Sequence, residues 1–130
     1  MTNHEIKIAF DEYDSLKELP TADHELCLEA TEALKNSHSP YSKFRVGAAL
    51  RLQSGKIIYG SNQENVAYPS GLCAERVALF YWGANHPDDP VVAMAVTART
   101  RLTARGNRRV GSDSGWLCGS RMYMTMMTRR

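Results

Sequence analysis

Ile6, Ile8 and Phe10 alternate with polar neighbours over residues 5–10, the two-residue period of a half-buried strand. From Thr21 the period lengthens. Leu26, Ala30, Ala33 and Leu34 recur at helical spacing, with Glu25, Glu29, Glu32 and Lys35 on the other side. A helix is expected there, capped by Thr21 or Asp23 and ended by Asn36-Ser-His-Ser-Pro40. Cys27 falls inside it and reads as core packing. Phe44–Arg51 reads as a strand, and Gly47 within it marks a bulge or a close approach of another backbone or a ligand. Ser54-Gly55 is a turn signal, so Lys56–Gly60 returns as the second half of a hairpin. The polar run Ser61–Ala67 leads into the turn formers Pro69, Ser70 and Gly71, and a buried helix follows from Cys73 to about Trp82. His86–Pro90 is a loop. The almost wholly apolar Val91–Thr97 suits a strand covered on both faces.

The resulting order, β, α, β, β, α, β, implies an α/β sandwich with helices packed on a sheet of mixed direction. At 130 residues the chain is expected to form one core of ordinary globular composition. No run approaches the roughly 18 apolar residues of a membrane span, and the first 19 residues lack a signal-peptide pattern. Three cysteines, Cys27, Cys73 and Cys118, show no disulfide-like spacing, so a reducing, cytoplasmic setting is expected.

The net charge of +2 conceals a step. Residues 1–98 carry 8 Lys and Arg against 13 Asp and Glu, whereas residues 99–130 carry 8 Arg and only Asp113. Hydrophobic periodicity fails at the same place. The chain therefore divides into a core, residues 1–98, and a divergent basic segment, residues 99–130, which reads as a frame-shifted or truncated gene end. Only Trp116 and Tyr123 are interleaved with those arginines, so a nucleic-acid-binding arm is the weaker reading.

Chemistry concentrates in Tyr68-Pro-Ser-Gly-Leu-Cys-Ala-Glu-Arg76. Cys73 falls at or near a helix N-terminus, where free N–H groups and the macrodipole favour the thiolate that a zinc ion needs. Glu75 lies close enough to share its pocket and move protons, and Arg76 can offset negative charge. Asn62 and Glu64, spaced i, i+2 on an extended segment, point the same way and can grip two neighbouring hydroxyls. The four histidines are expected to hold no metal.

Taken together, Ser39-Pro-Tyr-Ser-Lys-Phe-Arg-Val-Gly-Ala-Ala49, the hairpin and Asn62-Gln-Glu-Asn-Val-Ala-Tyr-Pro-Ser-Gly-Leu-Cys-Ala-Glu-Arg76 resemble the small zinc-dependent cytidine deaminases, over about residues 1–98. The resemblance implies a three-layer α/β/α sandwich, incomplete at the C-terminus. It implies a Zn2+ cofactor with Cys73 as its first ligand, and Glu75 as the group that relays protons to N3 and the departing amine. Asn62 and Glu64 would hold the ribose hydroxyls, Phe44 would stack on the pyrimidine, and Ala67 and Tyr68 would line the pocket. The partner implied is a small-molecule nucleoside, with no membrane partner, in a homo-oligomer (tetramer or dimer). The reaction implied is hydrolysis of cytidine and 2′-deoxycytidine to uridine and 2′-deoxyuridine in pyrimidine salvage.

The family completes its zinc site with Pro-Cys-x-x-Cys, which this chain lacks. Its only downstream cysteine is Cys118, in Trp116-Leu-Cys-Gly-Ser-Arg121, and this is the remaining candidate ligand. Two other functions stay open: deamination of another cytosine nucleoside of blasticidin type, or an inactive remnant lacking half of its zinc site.

Overall fold

The computed structural model describes residues 4–7, 9, 11–100 and 117–119. Helix α1 (Thr21–Ala33) runs on into a 3-10 turn at Leu34–Asn36. Strands β1 (Phe44–Leu52) and β2 (Ile57–Ser61) form the expected antiparallel hairpin. Its turn is made by Gly55, whose φ of 89° suits glycine. Helix α2 (Ala74–Asn85), β3 (Val91–Thr100) and the short β4 (Leu117–Gly119) follow.

The sheet order is β2-β1-β3-β4. Every described ladder is antiparallel, where a mixed sheet was expected. β2 and β3 do run parallel to each other, but β1 lies between them, so no parallel ladder forms. The register places Ala48, Leu50, Leu52, Ile58 and Met94 in one cluster with Ala74 and Ala78 of α2. The opposite face joins Ala49, Ala93 and Ala95 to Leu26, Cys27 and Ala30 of α1. The two helices thus cover opposite faces, and the expected three-layer α/β/α arrangement is present. Cys27 is core, as its position in the helix implied.

Two glycines set the spacing of the layers. A Cβ on Gly47 would stand 2.2 Å from the carbonyl oxygen of Ala30, and one on Gly60 would stand 2.2 Å from that of Ala74. The helix backbones therefore lie on the sheet at these two points. The close approach anticipated at Gly47 is that of α1, and Gly60 plays the same part for α2.

Three expectations are corrected. Residues 5–7 and 9 form no strand, and Ile6 is 87 % exposed; Ile8 and Phe10 lie outside the described residues. Alternation without a neighbouring strand to pair with does not hold an extended segment. Neither Thr21 nor Asp23 caps α1, whose N-cap is Pro20 without a side-chain bond. Asp23 instead meets Arg51 of β1 at 3.2 Å, while the same guanidinium donates to the Ala22 carbonyl at 2.7 Å, pinning the helix start to the sheet. Finally, β3 runs to Thr100, three residues beyond the expected end of the strand at Thr97.

Because backbone atoms cannot yield as a side-chain tip can, Gly47→Ala and Gly60→Ala should each destabilise the fold by about 1–3 kcal/mol or more. Urea denaturation checks this; a loss below about 0.5 kcal/mol at both positions would contradict the packing.

Candidate active site

An open cleft of about 900 Å3 lies where the start of β1, the segment after β2 and the start of α2 meet. Asn62, Glu64, Tyr68, Cys73 and Arg76 line it, together with Tyr41, Ser42 and Gln63. Five of the groups anticipated from sequence therefore share one cavity. Phe44 stands at the first position of β1, 41 % exposed, and neither it nor Ala67 nor Glu75 is part of the cleft wall.

Cys73 is the N-cap of α2, in extended conformation (φ −75°, ψ 157°) and exposed. Its carbonyl accepts the Val77 N–H at 3.1 Å, while its thiol makes no capping bond. Glu75 is in the first turn of α2, and one carboxylate oxygen, Oε2, is buried without a hydrogen-bond partner. A carboxylate oxygen in that state gives up hydration with no protein donor in return. Arg76 lines the cleft with its guanidinium 5.3 Å from the centre of the Phe80 ring.

Asn62 and Glu64, spaced i, i+2, both line the cleft but bond to different stretches. The Asn62 amide accepts from Val46 N at 2.9 Å and from the Ser37 hydroxyl, and donates to the Phe44 carbonyl at 3.0 Å. It continues the β1–β2 ladder one step beyond Ser61 and keeps one N–H free. Glu64 accepts from Tyr41 N at 2.9 Å, from Ser42 N at 3.3 Å and from the Ser42 hydroxyl. These donors fasten the turn that carries Lys43 in a left-handed conformation (φ 57°), which a residue with a Cβ adopts only when its surroundings hold it there. The Ser42 hydroxyl bond, with the Tyr41 and Ser42 N–H groups and the nearby His38, holds the Glu64 carboxyl below the usual carboxylate range against an opposing desolvation.

Sequence reasoning missed Tyr41, Ser42 and Gln63. The turn signal around Pro40 was visible, but not that its N–H groups would close on Glu64.

The fit to a zinc ion is partial. Cys73 supplies a thiol and Glu75 an unpartnered carboxylate oxygen, but no group of three His, Cys, Asp or Glu stands together among the described residues. Residues 101–130 contain only Asp113 and Cys118 of those types. The register sets Cys118 opposite Thr97, on the edge strand β4. Cys73, the N-cap of α2, follows Leu72, which pairs with Gln63 just beyond β2.

A carboxyl whose folded value is depressed contributes stability above its unfolded value and loses it as pH falls through the folded one. The ordering of the 39–44 turn should accordingly be full at neutral pH and fade below the usual carboxylate range. In Glu64→Gln it should be weaker at neutral pH and flat with acid. The amide signals of Tyr41 and Ser42 in an NMR pH titration check this; identical acid profiles for the two proteins would contradict it.

A family model described as the cytidine and deoxycytidylate deaminase zinc-binding region matches residues 1–104. The cytidine deaminase of Halalkalibacterium halodurans is 46 % identical over 76 residues, 58 % of this chain and 57 % of that protein. That of Proteus mirabilis is 34 % identical over 99 residues, 66 % of this chain and 34 % of the relative. The crystal structure of cytidine deaminase from Burkholderia pseudomallei superposes with a TM-score of 0.55 at 41 % identity, covering 60 % of this chain and 62 % of that one. The enzyme from Mycobacterium tuberculosis gives 0.53 at 34 % identity, covering 57 % and 59 %. This chain thus spans less than two-thirds of the proteins it matches. With the zinc-binding region matched from its first residue through β3, and the α/β/α layers superposing on solved cytidine deaminases, the chain belongs to the cytidine and deoxycytidylate deaminase family.

Proposed function

We propose that this chain binds cytidine and 2′-deoxycytidine and hydrolyses them to uridine and 2′-deoxyuridine with release of ammonia. The observation that carries the proposal is the buried, unpartnered Oε2 of Glu75, two residues beyond Cys73 in the first turn of α2. Deamination needs one group that takes a proton from water and gives it to the pyrimidine N3, then takes the second from the hydroxyl added at C4 and gives it to the departing amine. Such a group is a carboxylate that no other side chain occupies. Zinc, held in part by Cys73, would supply the Lewis acidity that makes water a nucleophile near neutral pH.

The rest of the site orients the nucleoside. Glu64, with three donors on its two oxygens, keeps room for one more, and Asn62 keeps one N–H, complementary to a sugar hydroxyl that both donates and accepts. Phe44 offers a half-exposed ring at the start of β1 for the base, and Tyr68 lines the cleft. Arg76 places positive charge on the side of Cys73. We place the reaction in pyrimidine salvage in the cytoplasm; among the described residues no helix is long and apolar enough to cross a membrane. Phe80 and Tyr81, both more than half exposed on α2, support assembly with further copies. The residues beyond Ala98 we read as a divergent basic segment, on the charge step alone.

A second reading rests on the donor count. With Cys73 the one cysteine lining the cleft and no group of three His, Cys, Asp or Glu together among the described residues, the chain is a remnant that keeps the nucleoside cleft without turnover.

Zinc content per chain and ammonia release from cytidine separate the readings. The enzyme predicts about one zinc. It also predicts a fall of about a hundredfold or more in kcat for Glu75→Ala at unchanged zinc content. No zinc and no turnover would establish the remnant. Ammonia from a blasticidin-type nucleoside but not from cytidine would move the substrate.

A further inference from the structure

We propose that Gln63 is a positioning residue: it holds the Asn62–Glu64 pair and the α2 N-cap Cys73 in one frame. The proposal rests on the nucleoside reading only for its kinetic arm. In the sequence, residue 63 is the unspecified middle of Asn-x-Glu. In the fold it is the one of the three whose bonds reach both the end of α1 and the approach to α2.

Its side-chain amide donates to the Asn36 carbonyl at 3.1 Å and to the Ser61 hydroxyl at 3.2 Å. Asn36 ends the 3-10 turn after α1, where carbonyls have no partner within the helix, so Gln63 caps that turn from outside. The backbone of Gln63 pairs both ways with Leu72, N–H to carbonyl at 2.9 Å in each direction. Leu72 is the residue before Cys73. On the other side, His38 N donates to Asn62 O at 3.0 Å and Glu64 N donates to His38 O at 2.8 Å.

Residues 62–64 therefore lie between the end of α1 and the approach to α2. Backbone bonds to His38 and Leu72 hold the segment on both sides. The Gln63 amide, tied to two separate elements, adds resistance to rotation about the segment axis. Since side chains alternate along an extended segment, a rotation there would swing Asn62 and Glu64 away from β1 and the 39–44 turn. It would also carry Leu72, and with it the first residue of the α2 cap. The three elements joined at Gln63 are those that carry Ser37, the Asn62–Glu64 pair and Cys73.

Gln63→Glu keeps the shape but cannot donate at neutral pH, and Gln63→Met keeps the length with no polar atom. Alkylation of Cys73 by iodoacetamide in the full chain reads the frame directly, since the tryptic peptide Ile57–Arg76 contains no other cysteine. Both variants should change the alkylation rate by about five- to tenfold, the weight of one or two lost hydrogen bonds. KM for cytidine should rise by a similar factor, with kcat moved less. In the unaltered protein the amides of Leu72 and Glu64 should exchange slowly and together.

A lowered melting temperature with alkylation and KM both unmoved would reduce Gln63 to a stabilising contact and overturn the proposal. So would Leu72 exchanging as fast as exposed Asn65, a result independent of whether the variants fold. If no variant and no parent releases ammonia, the alkylation and exchange results still decide the role of Gln63, and only the nucleoside reading fails.

Discussion

The first turn of α2 rests on the sheet with nothing between. Gly60 has no Cβ, and the space where one would stand lies 2.2 Å from the carbonyl oxygen of Ala74 and 2.6 Å from the nitrogen of Ala78. This contact fixes where the helix begins, and so where Cys73 and Glu75 are presented. A residue of any other type at position 60 would lift the helix end by part of a side-chain diameter. For a site that needs reacting groups within a few tenths of an ångström, that is a functional change as much as a structural one. Gly47 does the same for α1 on the opposite face, and α1 carries the segment that Gln63 and Asn62 grasp.

Around this anchor the cleft is built by hydrogen bonding more than by apolar packing. Asn62, Gln63 and Glu64 each engage a different stretch: β1, the end of α1, and the Tyr41–Ser42 turn. The arrangement holds Lys43 in a conformation its Cβ disfavours, with Phe44 next to it. It also leaves acceptor capacity on Glu64 and a donor on Asn62 facing a cavity. Polar groups used twice, once for the fold and once for a ligand, give a site little freedom to relax and hence little ordering to do on binding.

Much of this was legible in the residues. Both helices and the hairpin follow from spacing and from Ser54-Gly55. The site cluster follows from Asn62, Glu64, Cys73 and Arg76 lying in order at the junctions of elements. What was not legible depended on partners in space. Asp23 looked like a cap until Arg51 stood across from it. Residues 5–10 alternate as a strand does, yet no strand pairs with those described. Gln63 carried no signal, because an amide on an extended segment says nothing about which carbonyl it will meet. Cys118 stood as a ligand on residue type alone, and its strand, β4, pairs with β3.

The central claim is that the cleft between the start of β1 and the start of α2 receives a cytosine nucleoside. An NMR titration of the full chain with cytidine tests it without requiring turnover. Saturable shifts should gather on residues 41–46, 62–64 and 68–76, with α1 and the β1–β2 turn unmoved. Saturable shifts elsewhere, or none up to millimolar cytidine, would contradict the account.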